Sequence, residues 1–183
     1  MGLHQIQVTY QQDEDRLLLR TSFSDPEQPL HEVRAWLTRR LVRNLWPGII
    51  KAMETQVTLN QPQAAHAKSE IVGMEHQATV QNIAARGDFK APYAETAQAF
   101  PIGEAPILVA TVHFNISANK PVRIRFEPAQ GKGFEIAFSP QVLHGFCNLL
   151  REAVKAAQWN VELNLPGSDN TPAAPGATPR VLN

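Results

Sequence analysis

The sequence predicts an α+β domain, and three observations carry that reading. Apolar and polar residues alternate with a period of two over residues 6–37 and again over 107–138. Each run passes into a stretch where apolar residues recur every three to four positions. Strands therefore come in groups followed by helices, with no regular strand–helix–strand alternation. The expected order is β-β-β-α-α-β-β-β-α. It describes an antiparallel sheet or small sandwich packed against two main amphipathic helices. One domain is expected over 3–165, with 60–105 as an irregular or partly helical insertion and 166–183 as a disordered tail.

Ile6, Val8 and Tyr10 alternate with Gln5, Gln7 and Thr9, as in a half-buried strand. Asp13-Glu14-Asp15 interrupts the pattern, and Arg16 to Phe23 resumes it, which reads as a hairpin with an acidic tip. Ser24-Asp25-Pro26 supplies a second turn. A third strand follows over Glu32 to Leu37, with Val33, Ala35 and Leu37 on one face and Arg34 and Trp36 on the other.

Thr38 is placed to cap a helix. Leu41, Leu45, Ile49 and Met53, flanked by Val42, Trp46 and Ile50, form its apolar stripe. Trp46-Pro47-Gly48 lies inside that stripe, and a proline there predicts a kink or break. Gln61 to Ala67 reads as a loop. Ser69 to Ala85 reads as a helix carrying Ile71, Val72, Met74, Val80 and Ile83, and the prolines and glycines of Gly87 to Pro106 read as a loop.

Ile107 to Ile116 is rich in β-branched residues and predicts a strand. Asn119-Lys120-Pro121 and Gln130-Gly131-Lys132-Gly133 are turns. Between and after them Val122, Ile124, Phe126 and then Phe134, Ile136, Phe138 alternate as an antiparallel meander. Ser139 caps the next helix with Pro140 at its first position, and Leu143, Phe146, Cys147, Leu150 and Val154 form its stripe. Val161, Leu163 and Leu165 suggest a short last strand. Beyond Pro166 the sequence has little to bury and predicts disorder.

Composition limits the functional classes. The chain has 183 residues, 43% hydrophobic and 19% charged, which is globular composition. Lys plus Arg and Asp plus Glu both number 17, so the formal net charge is zero. No overall basic field exists to attract nucleic acid, which would need a local patch. Zero net charge also gives little protection against self-association. A lone cysteine, Cys147, excludes an intrachain disulfide. No window approaches the roughly 18 apolar residues of a membrane span, and the first residues alternate instead of forming a signal sequence. A cytoplasmic protein without membrane attachment is expected.

The chemistry-bearing pattern that breaks a local rule is Arg39, Arg40 and Arg43. These cations crowd the start of a helix, where the helix already presents partial positive charge and free N–H groups. An anion, a nucleic acid or an acidic partner would answer them. So would intramolecular pairing with Asp13, Glu14, Asp15 or Glu32, or plain solvation. Trp36 and Arg34 flank the cluster, and an exposed tryptophan beside arginines suits an interface. These five residues are the candidate anion- or partner-binding set.

Other constellations point away from catalysis. His4, His31, His66, His76, His113 and His144 show no metal-binding spacing. Cys147 lies in an apolar stripe, as an inert buried thiol does. Gly131-Lys132-Gly133 joins two strands and precedes no helix, so it reads as a turn and not a phosphate loop. No nucleophile elbow, Walker, CxxC or paired-carboxylate motif is present. No cofactor, metal or catalytic residue is expected. An enzyme would have to build its site from the 87–106 loop.

The runs EDRLLLR (Glu14 to Arg20) and WLTRRLVRNLWP (Trp36 to Pro47) resemble an uncharacterised bacterial family of similar length, built on a strand hairpin followed by a W-L-T-R-R helix. The likeness is carried by the first third of the chain. It implies a bacterial source and no particular activity. The element order is also similar to that of the head domains of DNA end-joining scaffold proteins, which assemble proteins and do not catalyse. No motif is shared with them, and the last helix is too short for their coiled-coil stalk. Together these readings predict a non-enzymatic interaction or assembly module, self-associating or binding another protein. The alternative is a nucleic-acid or phosphate-binding protein that uses the arginine cluster.

Overall fold

The structure, a computed structural model, describes residues 2–86, 93, 97 and 99–166, with backbone alone for Gln28 and Arg86. Alternation builds two three-stranded meanders. β1 (Gly2–Gln11), β2 (Arg16–Asp25) and β3 (Gln28–Leu37) pair antiparallel, as do β4 (Ile107–Asn115), β5 (Val122–Pro128) and β6 (Phe134–Phe138). The meanders join through β3 and β4 into one six-stranded sheet of order β1-β2-β3-β4-β5-β6. A fully antiparallel sheet is corrected at this seam. β3 and β4 run parallel, and only Ala35–Ile107 and Trp36–Leu108 pair. The long α-helical excursion between them returns the chain in the same direction, which a short hairpin cannot do.

The helices follow their caps. α1 (Arg39–Asn60) starts at Thr38, whose side chain accepts a hydrogen bond from the Leu41 N–H at 3.2 Å. α2 (Lys68–Arg86) follows, and α3 (Pro140–Ala156) starts at Ser139, which accepts from Val142 N–H at 3.4 Å. Of the kink or break expected at Pro47, the break does not occur, because α1 continues through it. Pro47 is exposed, so the carbonyl it leaves unbonded can find water. On the opposite side Leu45, Trp46 and Ile49 hold the stripe against the core. Gly48 next to it allows close approach of α1 to β4: a Cβ there would stand 2.8 Å from Phe114 Cε2.

Two further expectations are corrected. Residues 61–67 are not an open loop, because Pro62–Ala67 form a 3-10 helix leading into α2. Residues 161–165 alternate but do not form a strand. They form an irregular strap that buries Trp159, Leu163 and Leu165, and its Asn164 carbonyl accepts the Trp46 indole N–H at 2.8 Å. The helix expected over 69–85 forms as α2, with Val72 fully buried. Half of the loop expected over 87–106, and the tail beyond Pro166, lie outside the described residues.

The two halves repeat one another. Leu37-Thr38 and Phe138-Ser139 form the same strand-to-cap junction. Counted from those caps, six buried positions coincide: Val42, Leu45, Trp46, Ile49, Ala52 and Met53 on α1 against Leu143, Phe146, Cys147, Leu150, Ala153 and Val154 on α3, whereas His144 and Gly145 are buried where Arg43 and Asn44 are exposed. Packing is reciprocal, with α1 against β4 and α3 against β1. The first hairpin of each half turns through a left-handed residue, Asp15 at φ 46° and Asn119 at φ 55°. One hydrophobic core results, with α2 lodged against both α1 and α3.

Candidate functional site: an arginine-edged groove at the seam of the two halves

Where β3 ends, the chain turns up into α1, while β4 begins beside it and runs on. Because the strands pair at only two positions, the seam opens into a groove of about 740 Å³. One wall is the first turns of α1, through Thr38, Arg40, Leu41 and Asn44. The other is Ile107 to Ala110 of β4 with Pro128 to Gln130 at the end of β5. Leu108 is 47% exposed although it is large and apolar, and it stands in register with Trp36 of β3. Trp36, half-buried, also pairs with Leu18 of β2.

Arg39, Arg40 and Arg43 are all exposed, and Arg40 lines the groove. The first turn of α1 contains no acidic residue. Among the described residues none of the three guanidiniums has a carboxylate within ion-pair distance. Arg39 does feel Asp15. Hydrogen bonds from Trp159 and Tyr10 hold that carboxyl below its ordinary range, and Arg39 adds a weaker attraction against the opposing effect of desolvation. Arg40 and Arg43 therefore carry the unanswered charge next to an apolar floor.

Arg34 is arranged differently. It donates from Nε to Glu32 at 2.6 Å, and its guanidinium stands 5.0 Å over the Phe100 ring. Arg20 donates to the same carboxylate at 3.0 Å and lies 4.3 Å over Tyr93. Glu32 is fully enclosed. Burial opposes its charge, but hydrogen bonds and charges from both arginines outweigh this and hold its carboxyl below the usual range. Glu32 N–H also donates to the Ala99 carbonyl at 2.9 Å, and Ala99 N–H donates back to Leu30. This network clamps the stretch before β4 to the edge of β3. Two arginines of β5 are likewise paired: Arg123 with Glu135 at 3.1 Å and Arg125 with Glu127 at 2.5 Å. The five sequence-selected residues thus divide. Arg40 and Trp36 lie at the seam, Arg39 and Arg43 are exposed on the first turns of α1, and Arg34 joins an internal ion-pair cluster.

A second polar locus escaped sequence reasoning. His76 of α2 and His144 of α3 meet with ring centroids 5.5 Å apart, both buried, and among the described residues their Nδ1 atoms have no hydrogen-bond partner. Burial pushes His76 down to about 4, with the His144 and Arg151 charges adding to it. Burial also lowers His144, although Glu75, at 3.6 Å from its Nε2, partly offsets this. A cavity of about 430 Å³ adjoins the pair between Glu75, Thr79, Asn82, Gln141 and His144. Helical spacing from Val72 would have placed His76 inside, but nothing in the sequence joins it to His144. Among the described residues no group of three or more histidines, cysteines or carboxylates is placed to hold a metal. No helix among them is long and apolar enough to cross a membrane.

The chain was compared with models of protein families, with curated proteins and with solved structures, and it matches none of them. Its functional reading therefore rests on its own geometry.

Proposed function

We propose that this protein is a non-enzymatic interaction module that docks an acidic protein partner in the groove between α1 and β4. One observation carries the reading: the exposed apolar side chain of Leu108 and that of Leu41 line the groove together with Arg40, which no described carboxylate answers. Interfaces of this composition join a desolvated apolar centre to an arginine-rich rim. The alternative, a nucleic-acid surface, draws less support. Phosphate tracking needs a continuous basic face, and Arg34, Arg123 and Arg125 are seated on carboxylates.

The test is a photo-cross-linking side chain at Leu108, with exposed Met74 on α2 as the control position, in cells that express the protein natively. A protein adduct at 108, absent at 74 and abolished by Arg40→Glu with Arg43→Glu, is the expected result. An adduct to a second copy of the chain supports the assembly form of the same reading. A nucleic-acid adduct, or no adduct at 108, overturns it.

A further inference from the structure

The seat that α2 occupies on α3 has an uncovered counterpart on α1. On α3, Gln141 and His144 face Glu75, Thr79 and Asn82 of α2 across the small cavity. Gly145 lets α2 approach so closely that a Cβ there would stand 3.3 Å from Ile83 Cδ1. Counting from the caps Thr38 and Ser139, the alignment in which six buried positions coincide places Gln141, His144 and Gly145 on Arg40, Arg43 and Asn44 of α1. All three α1 residues are exposed, and Arg40 and Asn44 open onto the groove. No described element crosses them.

The charges differ in a way that specifies the occupant. On α3 the matched position is a histidine met by one carboxylate of α2, Glu75. On α1 the position is an arginine, a second arginine stands one turn before it, and Arg39 adjoins them, all at the positive end of the helix. An occupant in the α2 pose needs more than one carboxylate along the side that faces α1. It also needs apolar residues at helical spacing to cover Leu41 and Leu108.

We infer that the groove takes an acidic amphipathic α-helix of a partner protein, lying on α1 as α2 lies on α3. This rests on the docking function proposed above and names the shape and charge of what docks. The helix places carboxylates over Arg40 and Arg43 and its apolar stripe against β4.

The probe is a synthetic peptide of residues 68–86 carrying Thr79→Glu and Asn82→Glu, which adds carboxylates at two α2 positions that face α3. It is titrated against the full chain by fluorescence anisotropy, with a scrambled peptide of the same composition beside it. Saturable binding, at least 10-fold tighter than the scrambled peptide, lost in the Arg40→Glu/Arg43→Glu variant and accompanied by a gain of helical circular dichroism, is the expected result. Acidic side chains at a helix N-terminus favour the fold, so that variant keeps its structure, and its own dichroism spectrum checks this. Equal binding of the scrambled peptide shows charge attraction alone and overturns the inference, as does no binding at millimolar peptide. If Leu108 cross-links a protein in cells while the helical peptide fails, the docking function stands and the helix is wrong. If both fail, both fall.

Discussion

Trp46, in the middle of α1, donates its indole N–H to the backbone carbonyl of Asn164 at 2.8 Å. This bond fastens the strap after α3 across the helix that bears the groove. Trp159 at the start of the strap donates in the same way to Asp15 at the tip of the first hairpin, also at 2.8 Å. The strap thus ties the end of one half to the helix and hairpin of the other.

The strap's contribution can be measured by two truncations. Removing 167–183 is expected to leave the melting temperature within a degree or two, since that stretch offers little apolar surface. Removing 159–183 also strips Trp159, Leu163 and Leu165 from the core. Burial of three such side chains is worth roughly 5 kcal/mol, which for a chain of this size corresponds to a drop of about 10–20 °C. Equal melting temperatures for the two truncations would show that the strap contributes nothing.

The buried histidine pair predicts acid sensitivity. His76 titrates near pH 6.5 in an unfolded chain and is pushed down to about 4 in the fold. Its folded value lies below its unfolded one, so the unfolded state takes up the proton first as pH falls. Stability is complete above pH 6.5 and declines between there and pH 4. The loss is on the order of 1–3 kcal/mol. Urea unfolding at pH 7.5 and 4.5 reads it. In His76→Leu the difference between the two pH values should shrink, and an unchanged difference would refute the assignment.

Glu32 tests the clamp on β3. Glu32→Ala removes the enclosed carboxylate shared by Arg20, only 12% exposed at its side chain, and Arg34. Breaking a buried pair this way costs about 3–5 kcal/mol. Glu135→Ala breaks the exposed pair with Arg123 and should cost about 1 kcal/mol or less. Thermal melts of the two variants that coincide would show that Glu32 is no more than a surface charge.

Cys147 should behave as core. It is fully buried, and burial raises its thiol to about 12. Thiol labelling at pH 8 is expected to be slow in native protein and rapid in urea. Rapid stoichiometric labelling of the native chain would mean that the α3 face opens readily.

The sequence by itself determined the elements. Alternation fixes the strands around Val8, Leu19, Ala35, Ile124 and Ile136, because successive side chains of a strand point to opposite faces. The caps at Thr38 and Ser139 and the stripes behind them fix α1 and α3, because capping and helical spacing are set by residues within a few positions of each other. The arginine cluster was visible for the same reason, as a local conflict between charge and helix end, but whether a carboxylate answers it was not. Tertiary structure alone decided how those elements meet. The parallel seam at Trp36 and Leu108, the burial of His76 against His144, and the seating of Arg34 on Glu32 join residues that no short-range pattern relates. The repeat was hidden as well. Matched positions such as Trp46 and Cys147 share burial but not side-chain type, since a core constrains filled volume at a site more than residue identity. The groove follows from the same cause: it exists because β3 and β4 pair at two positions only, a consequence of where the α-helical excursion returns the chain.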